Sequence, residues 1–118
     1  MGTPVDATQT DIDPEQLSAW MEEDSQLQVV DVREVYEREA GHIANTRHIP
    51  LVELSARAGE IERERPVVFY CRVGARSDMA AQAFRAAGYR ALSMAGGLVR
   101  WDSEQLPLAP EGGVVADH

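Results

Sequence analysis

Residues 66–78 read PVVFYCRVGARSD. Four apolar residues, Val67 to Tyr70, follow Pro66; the run is too short for a buried helix and predicts a strand covered on both faces. Cys71 stands at its C-terminal end, and Gly74 gives the next residues the freedom to curl. From about Ser77, Met79, Ala80, Ala83, Phe84 and Ala87 recur at spacings of three and four up to Gly88, which predicts a helix and its stop.

The flanking sequence repeats this alternation. Asp13-Pro14 reads as an N-cap with proline at the first helical position, and Leu17, Trp20 and Met21 share a helical face, so a helix is expected from about 14 to 23. Gln28 to Val32 is a short β-branched run and predicts a buried strand. Glu34 to Ala40 predicts a short helix ending at Gly41, then an extended piece near Arg47 to Ile49 that stops at Pro50. Leu51, Leu54 and Ala58 support another short helix closing at Gly59, and a last strand near Arg90 to Met94 leads into Gly96-Gly97. Such alternation predicts an α/β fold, a parallel sheet with helices on both faces. Ligands in such sheets bind beyond the carboxyl ends of the strands, where the loop 71–76 lies. Residues 1–10 read as a flexible N-terminal segment, 11–108 as one domain, and 109–118 as a flexible C-terminal tail.

Composition narrows the function classes. The chain has 118 residues, 44% hydrophobic and 26% charged, the balance of one soluble globular domain. No apolar stretch approaches the roughly 20 residues needed to cross a bilayer, and the N-terminus lacks the pattern of a secretory signal, so a cytoplasmic location is expected. The net charge of −9 argues against nucleic acid and anionic membranes as partners. All eleven basic residues are arginine, which removes Schiff-base chemistry by lysine. One cysteine excludes an internal disulfide and a multi-thiolate metal site, and His42, His48 and His118 lack helical metal-ligand spacing, so no metal and no cofactor are expected.

Cys71 is then either a packed core residue, the common fate of a free cysteine, or a reactive thiol. Its neighbourhood favours the second. A strand ending in cysteine, a glycine-containing loop and a helix start together turn several backbone N–H groups toward one concavity and the sulfur. Those groups, the positive end of the helix, Arg72 and Arg76 all favour thiolate over thiol. Two arginines this close together in an acidic chain propose a bound anion.

Three separated segments carry a resemblance over most of residues 12–108: Asp31-Val32-Arg33-Glu34 with Gly41-His42-Ile43 and His48-Ile49-Pro50-Leu51; Cys71-Arg72-Val73-Gly74-Ala75-Arg76-Ser77; and Ala87-Gly88-Tyr89 with Gly96-Gly97 and Trp101. In this order and spacing the chain resembles a single-domain rhodanese, a thiosulfate sulfurtransferase. The resemblance implies a three-layer fold with a central five-stranded, mainly parallel sheet flanked by helices. It also implies that Cys71 is the catalytic nucleophile, taking sulfur from thiosulfate as a persulfide and passing it to cyanide or to a cellular thiol, small molecule or protein. The backbone from Arg72 through Val73, Gly74, Ala75 and Arg76 to Ser77 would hold the anionic persulfide, with Arg72 and Arg76 on the sulfonate oxygens of the donor. Asp31 and Arg33 are expected as a paired support for the loop, since buried charges come in pairs, and His42 as a structural hydrogen-bonding residue. Two departures stand out: Asn45-Thr46 where Gly-Ala is frequent, asparagine also tolerating left-handed backbone, and Gln105 where glycine is frequent.

Rival readings remain at this point. Dual-specificity phosphatases and arsenate reductases use a similar loop with five residues between cysteine and arginine, whereas four separate Cys71 from Arg76 here. The shorter loop suits sulfur better than a larger tetrahedral oxyanion, and a lone cysteine leaves no resolving thiol for a reductase cycle. Mercaptopyruvate sulfurtransferases typically carry uncharged loops. A persulfide carrier or a regulatory rhodanese-like binding module is the other alternative, the latter often lacking the cysteine.

Overall fold

The computed structural model describes residues 8–118, so most of the expected N-terminal segment 1–10 lies outside the described residues. Five parallel strands form one sheet: β1 Asp11–Ile12, β2 Gln28–Asp31, β3 Arg47–His48, β4 Val67–Tyr70 and β5 Ala91–Met94, in the order β1-β5-β4-β2-β3. The helices are α1 Pro14–Glu23, α2 Val35–Ala40, α3 Leu51–Leu54, α4 Ala75–Ala86 and α5 Gly97–Ser103. The α/β architecture expected above, a central five-stranded parallel sheet flanked by helices, is the one observed.

Each central strand is buried along its whole length: β4 is an unbroken apolar run, while β2 and β5 also bury the polar residues Gln28, Asp31 and Ser93. The two-residue period divides β4 and the residue after it between two cores. Val67, Phe69 and Cys71 face one side with Ala80, Ala81 and Phe84 of α4. Val68 and Tyr70 face the other with Leu17 and Trp20 of α1 and Leu98 and Trp101 of α5. Phe69 meets Phe84 edge to face at 5.0 Å, and each such buried aromatic contributes about 2–3 kcal/mol. The result is three layers, α3 and α4 over one face, α1 and α5 over the other.

The N-terminus of α1 follows its sequence signal. Asp13 accepts the Gln16 N–H at 3.0 Å, and the Gln16 side chain accepts the Asp13 N–H at 3.3 Å. Other elements differ from expectation. The helix from Leu51 ends at Leu54 and resumes as a 3-10 turn, Ala58–Glu60, because so few apolar residues cannot bury more than one turn. Helix α4 starts two residues earlier than expected, at Ala75, with Gly74 as its left-handed cap at φ 114°. Neither β1 nor α5 was foreseen. Within 109–118, Ala109 exchanges both backbone hydrogen bonds with His42, and the Val114 N–H donates to the Ala40 carbonyl at 2.8 Å.

Candidate active site

The parallel sheet brings the loops after β2, β4 and β5 to one edge, and the cysteine loop sits between the other two. Cys71 is fully buried and, with Arg72, Val73, Ala75, Arg76 and His118, lines a cavity of about 250 Å³. The Gly74 N–H donates to Sγ at 3.1 Å and the Ser77 N–H at 3.4 Å. The loop therefore curls its donors inward, as the glycine and the helix start lead one to expect. Both backbone groups stabilise negative charge on sulfur.

That curl is held from outside by Leu98, Val99 and Ser93, which the sequence did not single out, together with Gly97 and Ser77, which it did. The carbonyls of Cys71 and Arg72 accept from the N–H groups of Leu98 and Val99, at 2.8 and 3.0 Å, so the start of α5 turns the loop's acceptors away from the cavity. Gly97, at φ 64°, makes this approach possible, since a Cβ there would overlap the Arg72 backbone. Ser77 Oγ donates to the Gly74 carbonyl at 3.2 Å and shares a 2.8 Å hydrogen bond with Ser93 Oγ of β5. Ser93 is a positioning residue whose only sequence signal is a polar residue inside an apolar strand.

Both arginines of the loop are engaged from within the chain. Arg76 meets the Glu37 carboxylate with two nitrogens, at 2.8 and 2.9 Å. Burial pushes the Glu37 carboxyl up, but the Arg76 guanidinium and the Glu34 N–H more than reverse this and hold it below the usual range. The same contact raises the Arg76 pKa. Arg72 donates from Nε to the Ala116 carbonyl at 3.2 Å and from Nη2 to Asp117 Oδ1 at 3.4 Å. Glu37 was missed in the sequence because its partner lies 39 positions away.

Asp31 and Arg33 form the expected buried pair, with Nε to Oδ1 at 2.8 Å and Nη2 to Oδ2 at 2.7 Å. Among the described residues, neither side chain of the pair hydrogen-bonds the cysteine loop. Arg33 also donates to the Gly41 carbonyl at 2.8 Å and lies over the Tyr70 ring at 5.7 Å, at the end of the strand that carries Cys71. The Val32 N–H donates to the Tyr70 carbonyl at 3.0 Å, tying the two strand ends together. His42 has a structural place: its Nδ1 lies 3.1 Å from the Arg38 carbonyl and its backbone pairs with Ala109. Among the described residues no group of three His, Cys, Asp or Glu could hold a metal ion, and no helix is long and apolar enough to cross a membrane.

The site is a buried thiol in a loop of inward N–H groups at the strand ends of a parallel α/β sheet. Comparison with known proteins supplies the family: residues 13–104 match the Rhodanese-like domain family, and the chain belongs to it. A protein of Allochromatium vinosum named Sulfurtransferase is 38% identical over 104 residues, covering 86% of this chain and 97% of the relative. A Coxiella burnetii protein named Thiosulfate sulfurtransferase GlpE is 31% identical over 87 residues, covering 72% of this chain and 81% of the relative. Among solved structures, a rhodanese-related protein of Thermoplasma volcanium superposes with a TM-score of 0.78 at 29% identity, over 85% of this chain and 97% of that one. Family and relatives support sulfur transfer as the general chemistry of this chain.

Proposed function

We propose that this chain is a cytoplasmic thiosulfate sulfurtransferase working through a Cys71 persulfide. The observation that carries the reading is the position of Cys71 Sγ, 3.1 Å from the Gly74 N–H and 3.4 Å from the Ser77 N–H, in a cavity edged by Arg72 and Arg76. The Cys71 thiolate attacks the outer sulfur of thiosulfate; the S–S bond of the donor breaks and sulfite leaves with its electron pair. The terminal persulfide sulfur carries the negative charge, and the N–H groups of residues 72–77 stabilise it as an oxyanion hole stabilises oxygen. Cyanide or a thiolate then attacks that outer sulfur, the persulfide bond breaks, and the Cys71 thiolate is restored. The name of the Coxiella relative supports thiosulfate as donor. The requirement for a free thiol supports a reducing compartment.

Intact mass after incubation with thiosulfate should rise by one sulfur atom, and cyanide should remove it as thiocyanate. Cys71→Ser should do neither. Absence of the mass gain in the wild type, or thiocyanate formation by Cys71→Ser, defeats the proposal. Turnover of an aryl phosphate in its place supports the phosphatase rival.

A further inference from the structure

Residues 109–118 lie outside the α/β alternation, yet they run to the mouth of the cysteine cavity. The segment is anchored at three points. Ala109 pairs with His42, the Val114 N–H donates to the Ala40 carbonyl, and Val115 packs on the apolar cluster that contains Trp101. It passes so close to Gly41 that a Cβ there would overlap the Val114 carbonyl. From this anchor Ala116 and Asp117 reach Arg72, and His118 lines the cavity with Cys71. The His118 ring is near enough to Glu37 to contribute to the lowering of that carboxyl.

The charges in and around the cavity are thus spoken for unequally. Arg76 is matched by a buried carboxylate through two short contacts. Among the described residues Arg72 is matched only by a fully exposed carboxylate at 3.4 Å, which an incoming anion can displace. An imidazole presents at least one N–H donor in either protonation state. We propose that Asp117 and His118 set the donor preference of the site: the Asp117 carboxylate holds the place on Arg72 that an anionic oxygen of the donor takes, and His118 donates to the same anion. The inference rests on the reading of this cavity as the donor site of a sulfur-transferring cysteine.

The two residues act with opposite signs, which a merely structural tail does not produce. Cys71 is the only cysteine, so its alkylation rate by anionic iodoacetate relative to neutral iodoacetamide reports anion acceptance without any sulfur chemistry. Asp117→Asn should raise that ratio about two- to fivefold, the scale of an exposed ion pair, and His118→Ala should lower it by a similar factor. The thiosulfate concentration for half-maximal persulfide loading should fall in the first variant and rise in the second. An unchanged ratio in both variants, or a shift of both in one direction, overturns the inference. A wild type that takes no sulfur from thiosulfate defeats the proposed function, and the alkylation ratio still decides this one.

Discussion

Arg76 leaves the cysteine loop with its charge already matched. The residue count that places it beside Cys71 is legible in the chain, because spacing within one loop is a local property. Its partner is not: Glu37 lies on another helix, and its role in the capping box of α2 gives it a sufficient local explanation. The pair therefore makes a test at the scale of one atom. Glu37→Gln keeps the shape but leaves Arg76, mostly buried, without its counter-ion. Loss of about 1–3 kcal/mol in denaturant unfolding is expected, because glutamine keeps part of the hydrogen bonding and Arg76 retains some exposure to water. The freed guanidinium should also lower the thiosulfate concentration for half-maximal loading severalfold. Weaker donor binding in a variant that remains folded removes Arg76 from the donor site.

The elements that were legible are those with enough residues to show a period. Val67 to Tyr70 is an apolar run after Pro66, Val29 and Val30 give β2 its β-branched centre, and α1 carries its whole capping box in sequence. Two residues of β1 carry no period; the strand exists because Asp11 and Ile12 find the free edge of β5. Helix α5 has seven residues and a glycine cap, and it forms because Leu98 and Trp101 bury themselves under the sheet while its first N–H groups hold the cysteine loop. Turn chemistry was legible where the residue type is tolerant: Asn45 has φ 66°, the left-handed backbone its side chain permits. Gln105 adopts φ 64° with no such excuse. Left-handed backbone costs an L-residue about 1–2 kcal/mol, part of which glycine gives back in chain entropy. Gln105→Gly should therefore stabilise the fold by about 0.5–1 kcal/mol, read as a shift in the urea midpoint at constant slope. A lower midpoint means that the turn after α5 is not strained.

At the scale of the whole molecule, stability is bounded by two titrations that share the Asp31, Arg33, Glu37 and Tyr70 region. The Glu37 carboxyl is held below its ordinary value of 4.5, so its contribution is present above that pH and is lost as acid protonates it. Tyr70 works at the other end. Burial first, and the Asp31 carboxylate second, push its hydroxyl from 10.0 up to about 12. A raised pKa means that the folded state holds the proton more tightly. The contribution is complete below pH 10 and is lost as pH climbs toward about 12, at about 1.4 kcal/mol per unit. Arginine supplies every cationic side chain other than histidine, so no lysine titrates in that window and the alkaline limb is unusually readable. The Tyr70 hydroxyl accepts the buried Ile43 N–H at 3.1 Å and lies 3.1 Å from Thr46 Oγ1. Tyr70→Phe should thus cost about 1–3 kcal/mol near neutrality, yet flatten the decline in unfolding free energy between pH 10 and about 12. Equal alkaline slopes in the two proteins would show that the buried phenol does not govern this limit.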